Sequence, residues 1–208
     1  MTASDAGVAP PGLRERKKQR THDTIARVAL ELFAERGYDE TTLDDIAEAA
    51  DVSKRTIFSY YQSKEDILFH DEPRILLEVD QRLRGRAPGT TTVDALADLL
   101  VSFVPDKQAA LRKRVVGNNE ALRISERARF GRMEELLAES ITQDLQAGPD
   151  DIRPLLIAAS VTAAFYVAYD RMLTQAAESG LCHKAAFAVF DQLLDLLRSG
   201  VEALQRRS

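Results

Sequence analysis

The chain has 208 residues, of which 45% are hydrophobic and 29% are charged, and its formal net charge is −5 at neutral pH. The apolar content excludes a chain that is disordered throughout, and the acidic balance excludes a protein that coats nucleic acid by bulk charge. The single cysteine, Cys182, excludes an internal disulfide and is consistent with a cytoplasmic location.

Signals for export, metal binding and membrane insertion are weak. Residues 1–12 contain Pro and Gly but no apolar leader, so we expect a disordered tail there. The three histidines lie far apart and lack partners at ligand spacing, so neither a metal site nor a cofactor is predicted. The uncharged apolar stretch of residues 155–169 would span about 22 Å as a helix. This is less than the ~30 Å hydrocarbon core and predicts a buried helix without membrane contact.

The first predicted helix carries one apolar stripe and ends at Gly37, a residue that tolerates the left-handed conformation of a C-terminal cap. The stripe consists of Ile25, Val28, Ala29, Leu32 and Phe33. We expect it to pack against the next two helices in a three-helix unit. A basic segment precedes the stripe, since residues 12–20 hold five basic side chains and one acid.

Two short helices around a tight corner are predicted next. Thr42 precedes an apolar series with helical spacing, and Asp45 lies three residues further on, as in a capping box. Ser53 is placed to cap a second helix. Val52 and Ile57 have the spacing of a hydrophobic staple, which fixes the angle at which the chain enters that helix. A further cap, Ser63, opens the helix that follows.

The second helix of this corner begins with side chains suited to DNA. Its first turn contains Lys54, Arg55 and Thr56. Arg and Lys match the paired acceptors of guanine in the major groove, and a recognition helix points its first turn at base edges. Donors for backbone phosphates follow at Tyr60, Tyr61 and Lys64. A solvated helix end in an ordinary all-α protein is the alternative interpretation.

Residues 14–68 resemble the N-terminal domain of the TetR family of bacterial transcription regulators. The matching segments are the basic lead-in, LFAERGYDETT, TLDDIAEAADVS, TIFSYY and SKEDIL. The resemblance implies an all-α homodimer that represses transcription and releases DNA when a small molecule binds its second domain. By position it implies base contacts from Lys54, Arg55 and Thr56, with Ser53 beside them. It implies phosphate contacts from Thr42, Tyr60, Tyr61 and Lys64.

Charge around the corner is segregated. Residues 39–51 hold six acids and no basic residue, which would keep the first helix of the corner off phosphates. The basic segment of residues 12–20 is equally consistent with an arm that reaches along a groove, with Arg16 and Lys17 on DNA, and with a solvated tail. We assign residues 13–62 to the DNA-binding domain and residues 63–208 to a helical domain for ligand binding and dimerisation.

The second domain is predicted to be entirely helical. The helix that Ser63 opens runs toward Arg84, with Pro73 either kinking it or ending an initial segment. A breaker-rich loop, residues 85–92, follows. The later helices are predicted to begin near Val93, after Pro105, at Glu120, near Pro154 and before Phe190.

The last two helices carry the strongest signal for assembly. Apolar side chains cover nearly the whole circumference of residues 155–168, which requires burial on more than one side. The final helix repeats apolar residues at close to heptad spacing, including Phe190, Leu193, Leu197 and Val201. These features are consistent with packing inside one chain or with a four-helix interface between two copies. A two-fold dimer would read a palindrome with half-sites about 34 Å apart, or a multiple of that distance.

An effector site is predicted among the middle helices. Its residues are Phe103, Leu122, Arg123, Arg127, Phe130, Met133, Leu137, Phe165, Tyr166 and Tyr169. The same apolar residues would also suit an ordinary helical core. Residues 112–132 hold seven basic side chains and two acids, a group that either binds a phosphate or carboxylate or forms a solvated face.

The C-terminal segment resembles the regulator branch associated with mycofactocin systems, whose second domain is similar to acyl-CoA-binding sensors. NNEALR, GPDDIRPLLIAAS and YDRML carry this resemblance, while Glu120 and Met172 depart from the residues common in that branch. It implies an acyl-CoA or another elongated apolar effector. The sequence therefore predicts an effector-controlled repressor. An enzyme or a protein-interaction scaffold is the alternative, although no catalytic constellation is visible.

Overall fold

The structure, a computed structural model, describes residues 12–102 and 107–179 together with three single positions, Gln192, Asp195 and Ser199. The described part contains nine helices and no strand, and the predicted all-α class is confirmed. They are α1 (Leu13–Arg36), α2 (Leu43–Ala49), α3 (Lys54–Phe58), α4 (Lys64–Leu68), α5 (Glu72–Arg84), α6 (Thr92–Ser102), α7 (Lys107–Gly117), α8 (Glu120–Leu145) and α9 (Arg153–Ser179). The chain forms two compact units, Met1–His70 and Asp71–Ser208.

The first unit is built on α1. The predicted stripe is buried along this helix, which ends at Gly37 with a φ of 97°. Beyond it, the buried hydroxyl of Thr41 donates to the carbonyl oxygen of Gly37 at 2.8 Å. Ile46, Ile57 and Ile67 are fully buried, so α2, α3 and α4 each contribute an anchor to this core.

The basic segment is neither an arm nor a tail. Residues 13–20 form the exposed first turns of α1, because the helix already begins at Leu13. The backbone amide of Arg16 donates to the carbonyl of Gly12, which closes the first turn. Arg16 and Lys17 therefore stand on a continuous helix, whereas the predicted tail, residues 1–12, lies outside the described residues except for Gly12.

The helix expected from Ser63 to Arg84 is divided in two. α4 ends at Leu68, and α5 begins at Glu72 with Pro73 in its first turn. Proline lacks a backbone N–H and is tolerated there, whereas inside a helix it would remove a hydrogen bond. The two compact units meet after His70, eight residues beyond the predicted boundary.

In the second unit, α8 and α9 run antiparallel, since Glu126 and Phe130 contact Tyr166 while Leu137 and Ile141 share a cluster with Ala158. That cluster also contains residues of α5 and α6. A second cluster joins α6 to the later part of α9 through Val93, Ala97, Ala168, Met172 and Leu173. The unit is therefore a layered bundle around α8 and α9.

A polar cluster ties the loop after α5 to α8. Nη2 of Arg86 lies 2.7 Å from Oδ1 of Asp144, and both side chains are largely buried. The backbone amide and hydroxyl of Thr92 donate to Oδ2 of the same carboxylate at 2.7 and 2.6 Å. Arg86 also donates to the hydroxyl of Ser140. The buried charge is thereby surrounded by partners, as a buried ion pair requires.

One face of α9 is apolar and exposed. Ile152, just before this helix, and Leu155, Leu156 and Val167 within it are all exposed in the single chain. The helix is also longer than its uncharged run. By length and composition, Arg153–Thr174 is one helix that could cross a membrane, although core helices of other proteins pass the same test. The length argument against a span therefore does not apply to this helix as formed.

Candidate DNA-binding surface and effector site

Two local caps build the corner between α2 and α3. Thr42 and Asp45 form the predicted capping box: the amide of Asp45 donates to the hydroxyl of Thr42 at 3.1 Å, and the amide of Thr42 donates to Oδ2 of Asp45 at 2.7 Å. The hydrogen bonds that the hydroxyl and the amide of Thr42 donate to this carboxylate lower the pKa of Asp45 below its ordinary value. Asp51 occupies the turn with a φ of 52°, a left-handed conformation that Asp tolerates better than most residues. Ser53 caps α3 by accepting from the amide of Thr56 at 3.0 Å.

The first turn of α3 presents its basic side chains to solvent. Nζ of Lys54 lies 2.8 Å from Oδ2 of Asp44 on α2, and both side chains are exposed. Arg55 is exposed and makes no ion pair with any side chain that the structure describes. Thr56 is half-buried, and its hydroxyl shares a hydrogen bond with that of Ser53 at 2.7 Å. Arg55 is therefore the cation of α3 that has no ion-pair partner among the described side chains.

Three of the predicted phosphate donors have other roles in this structure. The hydroxyl of Thr42 donates to Asp45 at 2.5 Å, so the capping box uses it. Tyr61 is only 4% exposed, and its hydroxyl donates to the carbonyl of His22 at 3.0 Å. Burial also raises the pKa of Tyr61. Nζ of Lys64 donates to the carbonyls of Tyr38 and Thr41 at 2.6 and 3.0 Å. These three side chains hold the unit together.

The remaining candidates stay at the surface. Tyr60 is half-buried and meets His22 edge-on with the two ring centroids 6.2 Å apart, and Arg16 and Lys17 are exposed on α1. Phe58, which the sequence did not single out, ends α3 beside these candidates and is 54% exposed.

The predicted effector residues separate into two groups. Phe130 packs against Phe165 and Tyr166 with ring centroids 6.1 and 5.2 Å apart, and Phe165 stacks on Tyr169 at 5.9 Å. We call these four rings the aromatic cluster. Met133 and Leu137 instead belong to the apolar cluster with α5. Leu122 is buried, Arg123 is exposed beside Glu120, and Phe103 lies outside the described residues.

A charged group that the sequence did not predict borders the aromatic cluster. Nζ of Lys113 lies 3.5 Å from Oε2 of Glu126 and also contacts Asp170. Burial alone lowers the pKa of Lys113, but the hydrogen bond to Asp170 and the charges of Glu126 and Asp170 outweigh it and raise this pKa. Burial and the charge of Glu126 raise the pKa of Tyr166. The edge of the aromatic cluster therefore carries both positively and negatively charged side chains.

Most of the basic excess in residues 112–132 is internally paired, which corrects its interpretation as an open anion site. Each of five cations meets an acid: Arg112 meets Asp71, Lys113 meets Glu126 and Asp170, Arg123 meets Glu120, and Arg129 and Arg132 meet Glu72. Three of these acids, Asp71, Glu72 and Asp170, lie outside the segment, so its composition alone could not assign them. Arg127 is exposed, with its guanidinium 5.8 Å from the ring centroid of Tyr166.

The predicted dimer residues, Phe190, Leu193, Leu197 and Val201, lie outside the described part of the chain. Within the described part, no three His, Cys, Asp or Glu side chains are grouped to hold a metal ion.

A capped corner that turns a short cationic helix to solvent, followed by a larger helical unit, is the architecture of helix-turn-helix transcription regulators. Residues 25–70 match the family described as bacterial regulatory proteins, tetR family, and residues 90–202 match the MftR C-terminal domain. The chain belongs to the tetR family of bacterial regulatory proteins. Its relatives are transcription regulators, and it is not an enzyme.

Individual relatives agree with this assignment. The regulator TcmR of Streptomyces glaucescens is 53% identical over 57 residues, which cover 27% of this chain and 25% of TcmR. The mycofactocin biosynthesis regulator MftR of Mycobacterium tuberculosis is 28% identical over 85% of this chain and 90% of its own length. The solved structure of a SmeT–triclosan complex, from Stenotrophomonas maltophilia, has a TM-score of 0.59 at 18% identity and covers 86% of this chain and 91% of SmeT.

Proposed function

We propose that this chain is a homodimeric repressor that binds a palindromic operator in the cytoplasm and leaves it when an elongated apolar effector binds the second unit. The exposed first turn of α3 is the observation that carries the proposal. Arg55 is exposed and has no ion-pair partner among the described side chains, so its guanidinium is open to a guanine, and the corner behind it is capped at Thr42 and Ser53. Asp44 of α2 pairs with Lys54, and the negative charge of α2 disfavours phosphate on that side of α3.

The exposed apolar face of α9 supports the dimer. Large apolar patches on a single chain are typical of surfaces that another protein covers. Leu156 and Val167 lie on this face about three turns apart, so a second copy could align along it. Two-fold pairing there would present two α3 helices to one duplex and explains why the operator should be a palindrome.

The aromatic cluster supports an apolar effector between α8 and α9. One turn before Tyr166, the hydroxyl of Thr162 is buried and has no hydrogen-bond partner among the described residues, which is costly unless a further group satisfies it. The MftR-type C-terminal domain and the triclosan bound by SmeT favour an apolar ligand class. An acyl chain, free or carried by coenzyme A, fits this description. Because most arginines near the aromatic cluster are paired with acids, we assign the affinity for the effector chiefly to the apolar part of the effector.

The start of α5 is the proposed route from effector to DNA. Asp71 and Glu72 follow directly after the first unit and are held by Arg112 of α7 and by Arg129 of α8. A ligand that favours one spacing of α7 and α8 would shift α5 by its difference in affinity for the two arrangements. The distance between the two operator-binding units of the dimer would then no longer match one helical repeat of DNA.

Selection from random DNA with the full chain tests the proposal. We expect a palindromic duplex bound by two chains, with Arg55→Ala losing about 10-fold or more at one base pair of each half-site, as for a bidentate contact worth ~1–3 kcal/mol. Arg74→Ala removes an exposed arginine of α5 and serves as the matched control. Failure to select any duplex, or binding by one chain alone, would contradict the proposal.

A second measurement tests the effector. Fatty acids, their coenzyme A esters and triclosan are titrated into the complex with the selected duplex. We expect chain-length-dependent release by at least one of them, weakened by Phe130→Ala without loss of operator affinity. Release by fatty acid and ester alike would assign recognition to the apolar chain. Release by neither, while a polar metabolite succeeds, would overturn the apolar class.

A further inference from the structure

The most exposed aromatic side chain of the first unit is Phe58. It ends α3 with 54% of its surface open, whereas Phe33, Tyr61 and Phe69 are almost completely buried in the same unit. Its neighbour on α3, Ile57, is fully buried and serves as the anchor to the core. Phe58 is therefore not needed to hold α3 in place, and its apolar ring meets water instead.

Phe58 shares its sector of α3 with the two basic side chains. It follows Lys54 by four residues and Arg55 by three, so at about 100° per residue it projects roughly 40° from one and 60° from the other. The buried Ile57 points to a different side, roughly 100° away. The surface that carries Arg55 thus also carries one large apolar ring.

The chemistry of this sector restricts what Phe58 can recognise. Phenylalanine has no donor for a phosphate, and the adjacent hydroxyl of Ser59 already donates to the carbonyl of Thr56 at 2.6 Å. In the major groove, the C5-methyl group of thymine is an apolar group that distinguishes a base pair containing thymine from a G·C pair. A ring beside a guanine-reading arginine would meet that methyl on a neighbouring base pair.

We propose that Phe58 determines specificity by packing against the C5-methyl of one thymine in each half-site, beside the base pair read by Arg55. This inference rests on the proposed operator binding. Each half-site then combines a polar contact with an apolar one. Burial of one methyl group is worth about a fourfold gain in affinity, or roughly 15-fold when both half-sites contribute.

Replacing thymine by deoxyuridine removes this methyl and nothing else. In the duplex selected with the full chain, each symmetric pair of thymines is replaced in turn. We expect one pair to weaken wild-type binding by about 15-fold and to leave binding by Phe58→Ala unchanged. Leu77→Ala, which truncates an equally exposed apolar residue of α5, should retain the wild-type dependence on the methyl.

The outcomes distinguish failure of this inference from failure of the proposed operator binding on which it rests. If a duplex is selected but no thymine pair depends on its methyl, or if Phe58→Ala keeps the wild-type dependence, the assignment of Phe58 is overturned while operator binding stands. If Phe58→Ala changes only self-association, the ring contacts protein and the inference is again overturned. If no duplex is selected, the proposed function itself fails.

Discussion

Arg112 of α7 donates a hydrogen bond through Nη1 to Oδ2 of Asp71 across 2.8 Å, and the two side chains are only 11% and 23% exposed. Asp71 is the first residue of the second unit, directly after His70. Glu72 is held in a similar way by Arg129. The residues that connect the two units are thus attached to α7 and α8 by partly buried charges, which respond strongly to small changes in distance.

Asp71→Asn should weaken this attachment and lower the free energy of unfolding by about 1.5–3 kcal/mol, the range for hydrogen bonds between charged groups. We expect operator affinity to change little and effector-induced release to require more effector. Urea unfolding and titration of the DNA complex measure the two effects. Glu139→Gln, which removes the exposed partner of Arg84, is the control and should cost less than about 1 kcal/mol. Unchanged release by Asp71→Asn would contradict the proposed route.

Lys64→Met should reduce the stability of the folded chain more than it affects operator binding. The ammonium joins two backbone carbonyls before α2, and methionine keeps the apolar stem while losing both hydrogen bonds. We expect a lower free energy of unfolding, by about 1–3 kcal/mol, and an unchanged salt dependence of operator binding. Lys17→Met serves as the comparison: if Lys17 contacts phosphate, it should reduce the salt slope by about 1 with little effect on stability. A reduced salt slope for Lys64→Met would restore its role as a phosphate contact.

Thr42→Ala should destabilise the first unit through the lost cap of α2. The hydroxyl both accepts from and donates to Asp45, and such caps are worth about 0.5–2 kcal/mol. Thermal unfolding followed by circular dichroism measures the loss. Ser63→Ala removes the cap of α4 and should cause a loss of similar size. An unchanged melting temperature for both variants would show that these caps do not stabilise the folded unit.

The capping box should also make the stability of the folded chain depend on pH in the acidic range. Because the folded-state pKa of Asp45 is lowered, its contribution is fully present above the unfolded-state pKa of about 3.9 and is lost as pH falls through the folded-state value. The stability difference between wild type and Asp45→Asn should therefore be constant near neutral pH and shrink below about pH 4. Urea unfolding at several pH values checks this. A difference that grows on acidification would contradict the assigned sign.

Lys113→Met should leave a buried carboxylate without its cation. Lys113 and Glu126 are each about one-tenth exposed, and removal of one partner of a buried pair costs about 3–5 kcal/mol. Adding Glu126→Gln should recover part of the loss, because the remaining charge is gone. Unfolding free energies of the two single variants and the double variant measure the coupling. Additive losses would show that the pair does not act as a unit.

The local architecture of the first unit followed from the sequence alone. The cap at Thr42, the cap at Ser53 and the stop at Gly37 depend on residues within four positions, so their spacing predicted α1, α2 and α3. The all-α class followed from the helical spacing of apolar residues, and the family followed from the resemblance of residues 14–68. Pro73 signalled a break but did not reveal that it starts a new helix.

Only the tertiary structure decided which polar groups are free. Tyr61 meets a carbonyl 39 residues away, Lys64 meets carbonyls 26 and 23 residues away, and Arg112 meets a carboxylate 41 residues away. A side chain that donates to phosphate and one that donates inside the fold have the same composition and spacing. The difference is set by which distant partner the packed helices bring within hydrogen-bond distance, since a buried donor must find a partner. The sequence alone therefore predicted a DNA-reading corner, and long-range packing selected the side chains that remain available to read.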